Sequence, residues 1–384
     1  MRDRAMMILG DLVGFPTVTT ESNLALIDHA VGLLEPLGAT TQVTRDETGR
    51  KANLLATIGP AVDGGVILSG HCDVVPADEP DWTEAPFVAM RREQKIFGRG
   101  TADMKGFIAC ALALAPRFAE APLVRPVHIA ITFDEEVGCR GAPLLLAELA
   151  KTGPKPAAAI VGEPTGMSVV TAHKGMYEYT TTVIGLEGHG SVPGRAVNAV
   201  HFGARYVAKL MELASRLEAR APAGSPYDPP HTTISVGAMR GGTARNVVAG
   251  ECILEWEMRP VSRSDATYVL DEVAMFERQT EEEMRLVSQE ASIVTVTEGA
   301  VDGLEDDEAS YAAGLAGELV GNTRRETAAF GTEAGLYQMA GISAVVCGPG
   351  SIEVAHRPDE YIGLDQLEHC LTALEGLIPK LTSP

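Results

Sequence analysis

The chain has 384 residues, of which 45% are hydrophobic and 22% charged, and a formal net charge of −21. That length suits about two domains, and the composition is that of a globular protein. The acidic balance argues against nucleic acid and anionic membrane surfaces as partners, and no apolar run approaches the ~20 residues a membrane helix needs. The N-terminal AMMILG stretch reads as an amphipathic helix, too short and too interrupted for a signal peptide. Cys72, Cys110, Cys139, Cys252, Cys347 and Cys370 form no C-x-x-C pair and read as reduced, mostly buried thiols, so a cytoplasmic location is expected.

Through residue 173, strand-like runs alternate with helix-like ones, the pattern of an α/β layer fold. The expected strands are Asn53–Ile58, Val66–Ser69, Val127–Phe133 and Ala157–Val161, with helices over Asn23–Leu37, Met104–Phe118 and Ala142–Leu149. From about Lys174 the rhythm changes. Strand Met176–Ile184, helix Val197–Leu217, a Pro- and Gly-rich loop, strands Thr232–Ala238 and Val247–Met258, helix Ser264–Leu286 and strand Ser292–Thr297 follow. The order β-α-β-β-α-β is that of the ferredoxin-like unit. A linker over Val301–Glu308 then returns to α/β character with helix Glu308–Leu319, strand Ala344–Cys347 and helix Leu364–Leu377. The expected division is residues 1–173 and 299–384 as one α/β domain, a mixed sheet with helices on both faces, interrupted by an α+β domain over 174–298.

Several metal-ligand types cluster at the ends of these strands. His71 and Asp73 stand in SGHCD, Glu135 and Glu136 in FDEE, and Glu163 in VGEPT, each just past an apolar run; His356 follows Ala344–Cys347 in EVAHRPD. Asp103, in GTADMKG, precedes a helix whose dipole favours a carboxylate. In open α/β sheets ligands bind beyond the carboxyl ends of the strands. Singly, His71 is explained by a structural histidine, the acidic pair by a solvated turn and Asp103 by a helix cap. Their agreement at one edge of one expected sheet outweighs those readings. So many clustered carboxylates repel one another unless divalent cations offset the charge, and mixed His and carboxylate ligands suit zinc, cobalt or manganese. Asp73, two positions after His71 on an extended segment, is placed to grip the other ring nitrogen. Competing chemistries fit less well. Gly98-Arg-Gly100 begins like a dinucleotide loop, but Asp103 occupies the third glycine position. Neither Ser191 nor Ser351 has the flanking glycines of a nucleophile elbow.

At this point the motifs SGHCD, GTADMKG, FDEE and VGEPT resemble those of the M20 family of metallopeptidases and deacylases, over nearly the whole chain. The resemblance implies a zinc-peptidase-like catalytic domain with an inserted ferredoxin-like dimerisation lid, and a homodimer. It implies two divalent ions, zinc or cobalt, one held by His71, Asp103 and Glu163 and the other by Asp103, Glu136 and His356. It gives Glu135 the role of general base and implies a cis peptide after Asp103. GHGSVP is similar to the family's lid histidine motif, which makes His189 an oxyanion donor from the partner subunit. GGTARNVV and EWEMRP resemble carboxylate readers, nominating Asn246 and Arg259, with Lys174 as a further candidate. FGTEAG together with the segment leading to His356 is most similar to the acetylornithine deacetylase branch, implying hydrolysis of N-acetyl-L-ornithine in arginine biosynthesis. Succinyl-diaminopimelate desuccinylase or another N-acyl-amino-acid hydrolase or carboxypeptidase of the family is the alternative. Glu333 in that segment is a candidate receptor for the substrate's side-chain ammonium.

Overall fold

The computed structural model describes residues 1–78 and 80–383. The chain divides into two compact units, one of Met1–Ala172, Asp306–Ala328 and Thr332–Pro384, the other of His173–Glu305 with Ala329–Gly331. Among the described residues no helix is long and apolar enough to cross a membrane.

The larger unit is built on an eight-stranded mixed sheet. Its order is Thr40–Arg45, Ala52–Ile58, Val127–Thr132, Val66–His71, Ala158–Pro164, Ser343–Gly348, Val169–His173, Arg325–Ala328. The strands of Val127, Val66, Ala158 and Ser343 run parallel at its centre. They read as continuous apolar runs because helices cover both faces, and almost every residue in them is buried. The outer strand Thr40–Arg45 has no such signal. It is polar and half exposed, so its place was not legible in the pattern. Val169–His173, Arg325–Ala328 and the small sheet of Met90–Arg92, Lys95–Phe97 and Tyr361–Gly363 were not among the expected strands either.

The helix Gly106–Glu120 buries its first ten residues and Phe118. It starts two residues later than its apolar pattern suggests. Asp103 sits in an irregular turn with extended φ/ψ of −123° and 95°, and the Asp103–Met104 peptide is cis. Close packing seats this helix. A Cβ on Gly162 would lie 1.9 Å from Phe107 Cγ, and a Cβ on Gly348 would lie 2.0 Å from the Gly162 carbonyl oxygen. Lys105, fully buried, donates from Nζ to the Leu12 and Phe15 carbonyls at 3.1 and 2.8 Å. It thereby adds a charged donor to carbonyls at and just past the end of helix Arg2–Val13, which also accept the Phe15 and Thr17 backbone N–H groups.

The smaller unit follows β-α-β-β-α-β: Met176–Ile184, Ala199–Glu218, Thr233–Gly241, Glu251–Arg259, Arg263–Arg285 and Ser292–Val301. The four strands are antiparallel in the order Thr233, Glu251, Met176, Ser292. Alternating burial along Met176–Ile184 and Glu251–Arg259 turns Tyr179, Val183, Leu254 and Trp256 toward the two helices. Both helices are capped, by the Asn198 side chain over Val200 and His201 N–H and by Ser262 over Asp265 N–H.

Two expectations are corrected. The strand read as Val247–Met258 is two strands, since Val247–Val248 pair with Gly188–His189 and only from Glu251 does the chain join the main sheet. The return to the larger unit lies at Asp306, not 299, because the last strand continues to pair as far as Val301 with Met176.

Gly162→Ala should destabilise the larger unit by about 1–3 kcal/mol, the usual cost of overpacking. A denaturant midpoint equal to that of the parent would show that Phe107 and its helix move aside freely. A second expectation concerns acid. His128 is buried, its Nδ1 meets Thr57 Oγ1 at 2.9 Å, and burial pushes its pKa from 6.5 down to about 4. The folded state then binds fewer protons than the unfolded one, so this stabilisation is complete above pH 6.5 and is lost as pH falls toward 4. The interval corresponds to about 3 kcal/mol. Chemical denaturation of His128→Gln should show a flatter acid limb over that range; an unchanged slope would remove His128 from the account.

Candidate metal centre and active site

All the clustered side chains of the larger unit come from the carboxyl edge of its four central parallel strands or from the turns beside it. His71 ends its own strand, Glu135 and Glu136 follow Val127–Thr132, Glu163 is the last residue but one of Ala158–Pro164, and His356 follows Ser343–Gly348. Asp103 enters from the turn before helix Gly106–Glu120. Asp103 lies between two imidazoles. Its Oδ1 is 3.0 Å from His71 Nε2 and its Oδ2 is 3.2 Å from His356 Nε2. Glu136 reaches His356 Nε2 at 3.0 Å, and Glu163 Oε1 lies 3.7 Å from His71 Nε2. His71, Asp103 and Glu136 bring their ligand atoms within 4.8 Å of one another.

The tautomer of His71 decides what this arrangement suits. Its Nδ1 is 3.0 Å from the Asp73 carbonyl oxygen, which only accepts, so Nδ1 carries a proton. Nε2 then faces the Asp103 and Glu163 oxygens, and three acceptors meet unless a cation stands among them. A proton on Nε2 is one solution. Burial pushes the His71 pKa down, but Glu163, Asp103 and Asp73 outweigh it and hold it well above 6.5. A divalent ion is the other. Ligands about 2.0–2.1 Å from a tetrahedral ion lie roughly 3.3 Å apart, close to the separations found here. The buried Glu163 Oε1 has no hydrogen-bond partner, which fits an oxygen reserved for a cation. The residues present therefore fit metal binding.

The carboxylates differ in electrostatic state. Burial raises the pKa of Glu135, and Glu136, Glu333 and Asp103 raise it further against the pull of His71. Glu163 is likewise raised well above the ordinary range by burial and by Asp103. Asp103 goes the other way, since hydrogen bonds from His356 and His71 overcome its burial. The Cys139 thiol lies 3.6 Å from Glu135 Oε1 and donates to it.

Asp73 differs from its expected role. Its carboxylate is 3.6 Å from His71 Nδ1, beyond a hydrogen bond, and it is the backbone carbonyl that holds the ring. The carboxylate instead accepts the backbone N–H groups of Glu135 and Glu136, each at 3.2 Å, which orients the acidic pair. Glu333 is 1% exposed, with Ser69 Oγ 3.4 Å from Oε2, while its Oε1 has no hydrogen-bond partner. Burial pushes its pKa up to about 7.

The remaining candidates lie in the smaller unit. His189 and Asn246 are neighbours there, because Gly188–His189 pair with Val247–Val248 and Gly190 N–H donates to the Asn246 carbonyl. Arg259 is held by Glu257 two residues away, at 2.7 Å, and Lys174 donates to the His231 carbonyl at 2.8 Å. His189 Nδ1 accepts the Ser191 backbone N–H at 3.2 Å, with Ser191 Oγ at 2.8 Å. A backbone N–H only donates, so the neutral ring carries its proton on Nε2. Sequence reasoning missed Arg99, Cys139 and Glu360 near the cluster. Arg99 stands four residues before Asp103 and Glu360 four after His356, a proximity that was their available signal.

The sequence profile of the family described as peptidase family M20/M25/M40 matches residues 67–380. An acetylornithine deacetylase of Proteus mirabilis is 34% identical over 353 residues, covering 91% of this chain and 88% of that protein. One from Myxococcus xanthus is 34% identical over 372 residues, with coverage of 95% and 94%. Among solved structures, the aminopeptidase PepT of Bacillus cereus has the same fold, with a TM-score of 0.74, 20% identity and coverage of 100% and 99%. The Bacillus subtilis protein YXEP, described as a dinuclear metal-binding peptidase of the M20 family, gives a TM-score of 0.66 at 17% identity, covering 100% and 99%.

Nitrogen-15 spectra of the neutral His189 ring should show an unprotonated Nδ1 and a protonated Nε2. A protonated Nδ1 would mean that Ser191 does not set the ring's donor.

Proposed function

Because the chain belongs to the M20/M25/M40 peptidase family, whose amide-hydrolysing chemistry it shares, we propose that it cleaves N-acetyl-L-ornithine to L-ornithine and acetate. The observation that carries this reading is the run of relatives named acetylornithine deacetylase, at 33–34% identity over nearly the full length of both chains. In that role the protein supplies ornithine for arginine biosynthesis in the cytoplasm and works as a homodimer joined through the smaller unit. Zinc is the proposed ion, with cobalt as a substitute.

His71, Asp103 and Glu163 hold one ion in this proposal, and Asp103, Glu136 and His356 the other; the fit rests on Asp103 offering one oxygen to each imidazole. Such ions supply Lewis acidity at the scissile carbonyl and lower the pKa of a water from about 15.7 toward about 7. Glu135 takes one proton from the attacking water, whose oxygen forms the new bond to the acetyl carbon. It then delivers that proton to the amine nitrogen as the C–N bond breaks, leaving acetate and ornithine. Asp73 keeps Glu135 and Glu136 aimed through their backbone N–H groups. His189, with its donor on Nε2, is assigned to the oxyanion, and Asn246, Arg259 and Lys174 to the substrate's α-carboxylate. Glu333, with an unpartnered buried oxygen, is assigned to the side-chain ammonium.

Metal-stripped protein restored with zinc or cobalt should hydrolyse N-acetyl-L-ornithine in preference to succinyl-diaminopimelate and N-acetylmethionine. Preference for either of the others would move the substrate and leave the chemistry. In the same assay Glu135→Gln should retain its metal yet lose several orders of magnitude in kcat. Near-parental turnover would end the assignment of the base.

A further inference from the structure

The cluster is held from behind by a buried ion pair. Arg99 and Glu360 are each about 1% exposed, and Arg99 Nη1 meets Glu360 Oε2 at 3.0 Å. The other oxygen of Glu360 accepts two consecutive backbone N–H groups, those of Ala102 at 2.9 Å and Asp103 at 3.1 Å. The guanidinium fork donates in two further directions, from Nη1 to the Arg357 carbonyl at 3.2 Å and from Nη2 to the Pro76 carbonyl at 3.1 Å. Its face lies 5.0 Å from the Trp82 ring centre. Three backbone segments thus meet on one pair: the loop leaving Asp73, the turn carrying Asp103, and the loop carrying His356.

From this convergence we infer that Arg99 and Glu360 are positioning residues that set the shared carboxylate of Asp103 and the imidazole of His356 at ion-binding separation. The hydrogen bonds that join them to the segments of Asp103 and His356 go to main-chain groups, so their positioning action runs through the main chain. The two histidines depend on the pair unequally. His71 is fixed by its own strand, whose pairing with Val127–Thr132 extends to His71 itself, and by the Asp73 carbonyl. His356 lies on a loop with a backbone φ of 60° and a side chain 49% exposed. The Arg99 fork holds the carbonyl of its neighbour Arg357. Loosening the pair therefore weakens the ion of Asp103, Glu136 and His356 more than that of His71, Asp103 and Glu163. Why a buried pair does this is physical. Removing either partner leaves an uncompensated buried charge, and the fork geometry is one that lysine cannot reproduce.

The inference rests on the two-ion reading, and the test separates the two. Metal-free protein is titrated with zinc against a chromophoric chelator, and ion content is counted after gel filtration. The parent should bind two ions. Glu360→Gln keeps an oxygen for the two N–H groups but removes the charge facing Arg99. It should weaken both ions, since they share Asp103, with a 10–100-fold loss for the ion of His356 and a smaller loss for that of His71, the usual scale for groups that orient ligands. Arg99→Lys, which keeps the charge and loses the fork, should do the same and stands in if Glu360→Gln does not fold. Leu34→Ala, a core change on helix Leu24–Leu34, gives a control of comparable melting loss and should keep both affinities. Two ions at parental affinity in Glu360→Gln and Arg99→Lys would overturn the inference alone. An equal loss in Leu34→Ala would also overturn it, reducing the pair to general stability. A parent that binds no ion would overturn the two-ion reading and this inference with it.

Discussion

The concentration of negative charge at one edge of the central sheet is the constraint on which the rest of the larger unit turns. Asp73, Asp103, Glu135, Glu136, Glu163 and Glu333 gather near two imidazoles, and all but the acidic pair are almost wholly removed from solvent. Desolvation alone would drive most of these groups to bind protons, and the raised proton affinities of Glu135, Glu163 and Glu333 express that pressure. Asp103 escapes it, because each of its oxygens faces an imidazole nitrogen. The geometry is stable in one of two ways, with protons on the histidines or with cations among the ligands.

The scaffold supplies what such a cluster needs. Four parallel strands carry the clustered side chains at or just past their carboxyl ends, and the continuous apolar strands bury the sheet on both faces. Small residues let backbone elements close up behind it. Gly162 admits Phe107 directly beside Glu163, and Gly348 lets its strand approach the Gly162 carbonyl. Around this lies a layer of main-chain hydrogen bonds. Asp73 holds the acidic pair by its N–H groups, Glu360 holds the Asp103 turn, and Arg99 ties in the loop of His356. Charged side chains bound to main-chain groups thereby hold the segments that carry the clustered residues.

The smaller unit has a different internal logic. Alternating strands bury one face beneath two capped helices and leave the other open, as an antiparallel sheet permits. The short pairing of Gly188–His189 with Val247–Val248 lies outside the main sheet and joins the GHGSVP motif of His189 to the GGTARNVV motif of Asn246. Arg259 and Lys174 are engaged within the same unit, by Glu257 and by the His231 carbonyl.

Period and composition were enough to reveal the two-part organisation and most helices and central strands, because continuous apolar runs and strict alternation are properties of the chain itself. They also brought His71, Asp103, Glu136, Glu163 and His356 together as candidates, since each follows or precedes such a run. The polar outer strand Thr40–Arg45 left no trace in the pattern, because its pairing with Ala52–Ile58 comes from main-chain groups that every residue carries. The turn at Gly250 that splits Val247–Met258 depends on which strands lie alongside. The tertiary structure alone decided that the Asp73 carbonyl, not its carboxylate, holds His71, and that Arg99 and Glu360, 261 positions apart, form one pair. Such choices depend on distances between groups remote in the chain, whereas periodicity reports only which face of an element each residue occupies.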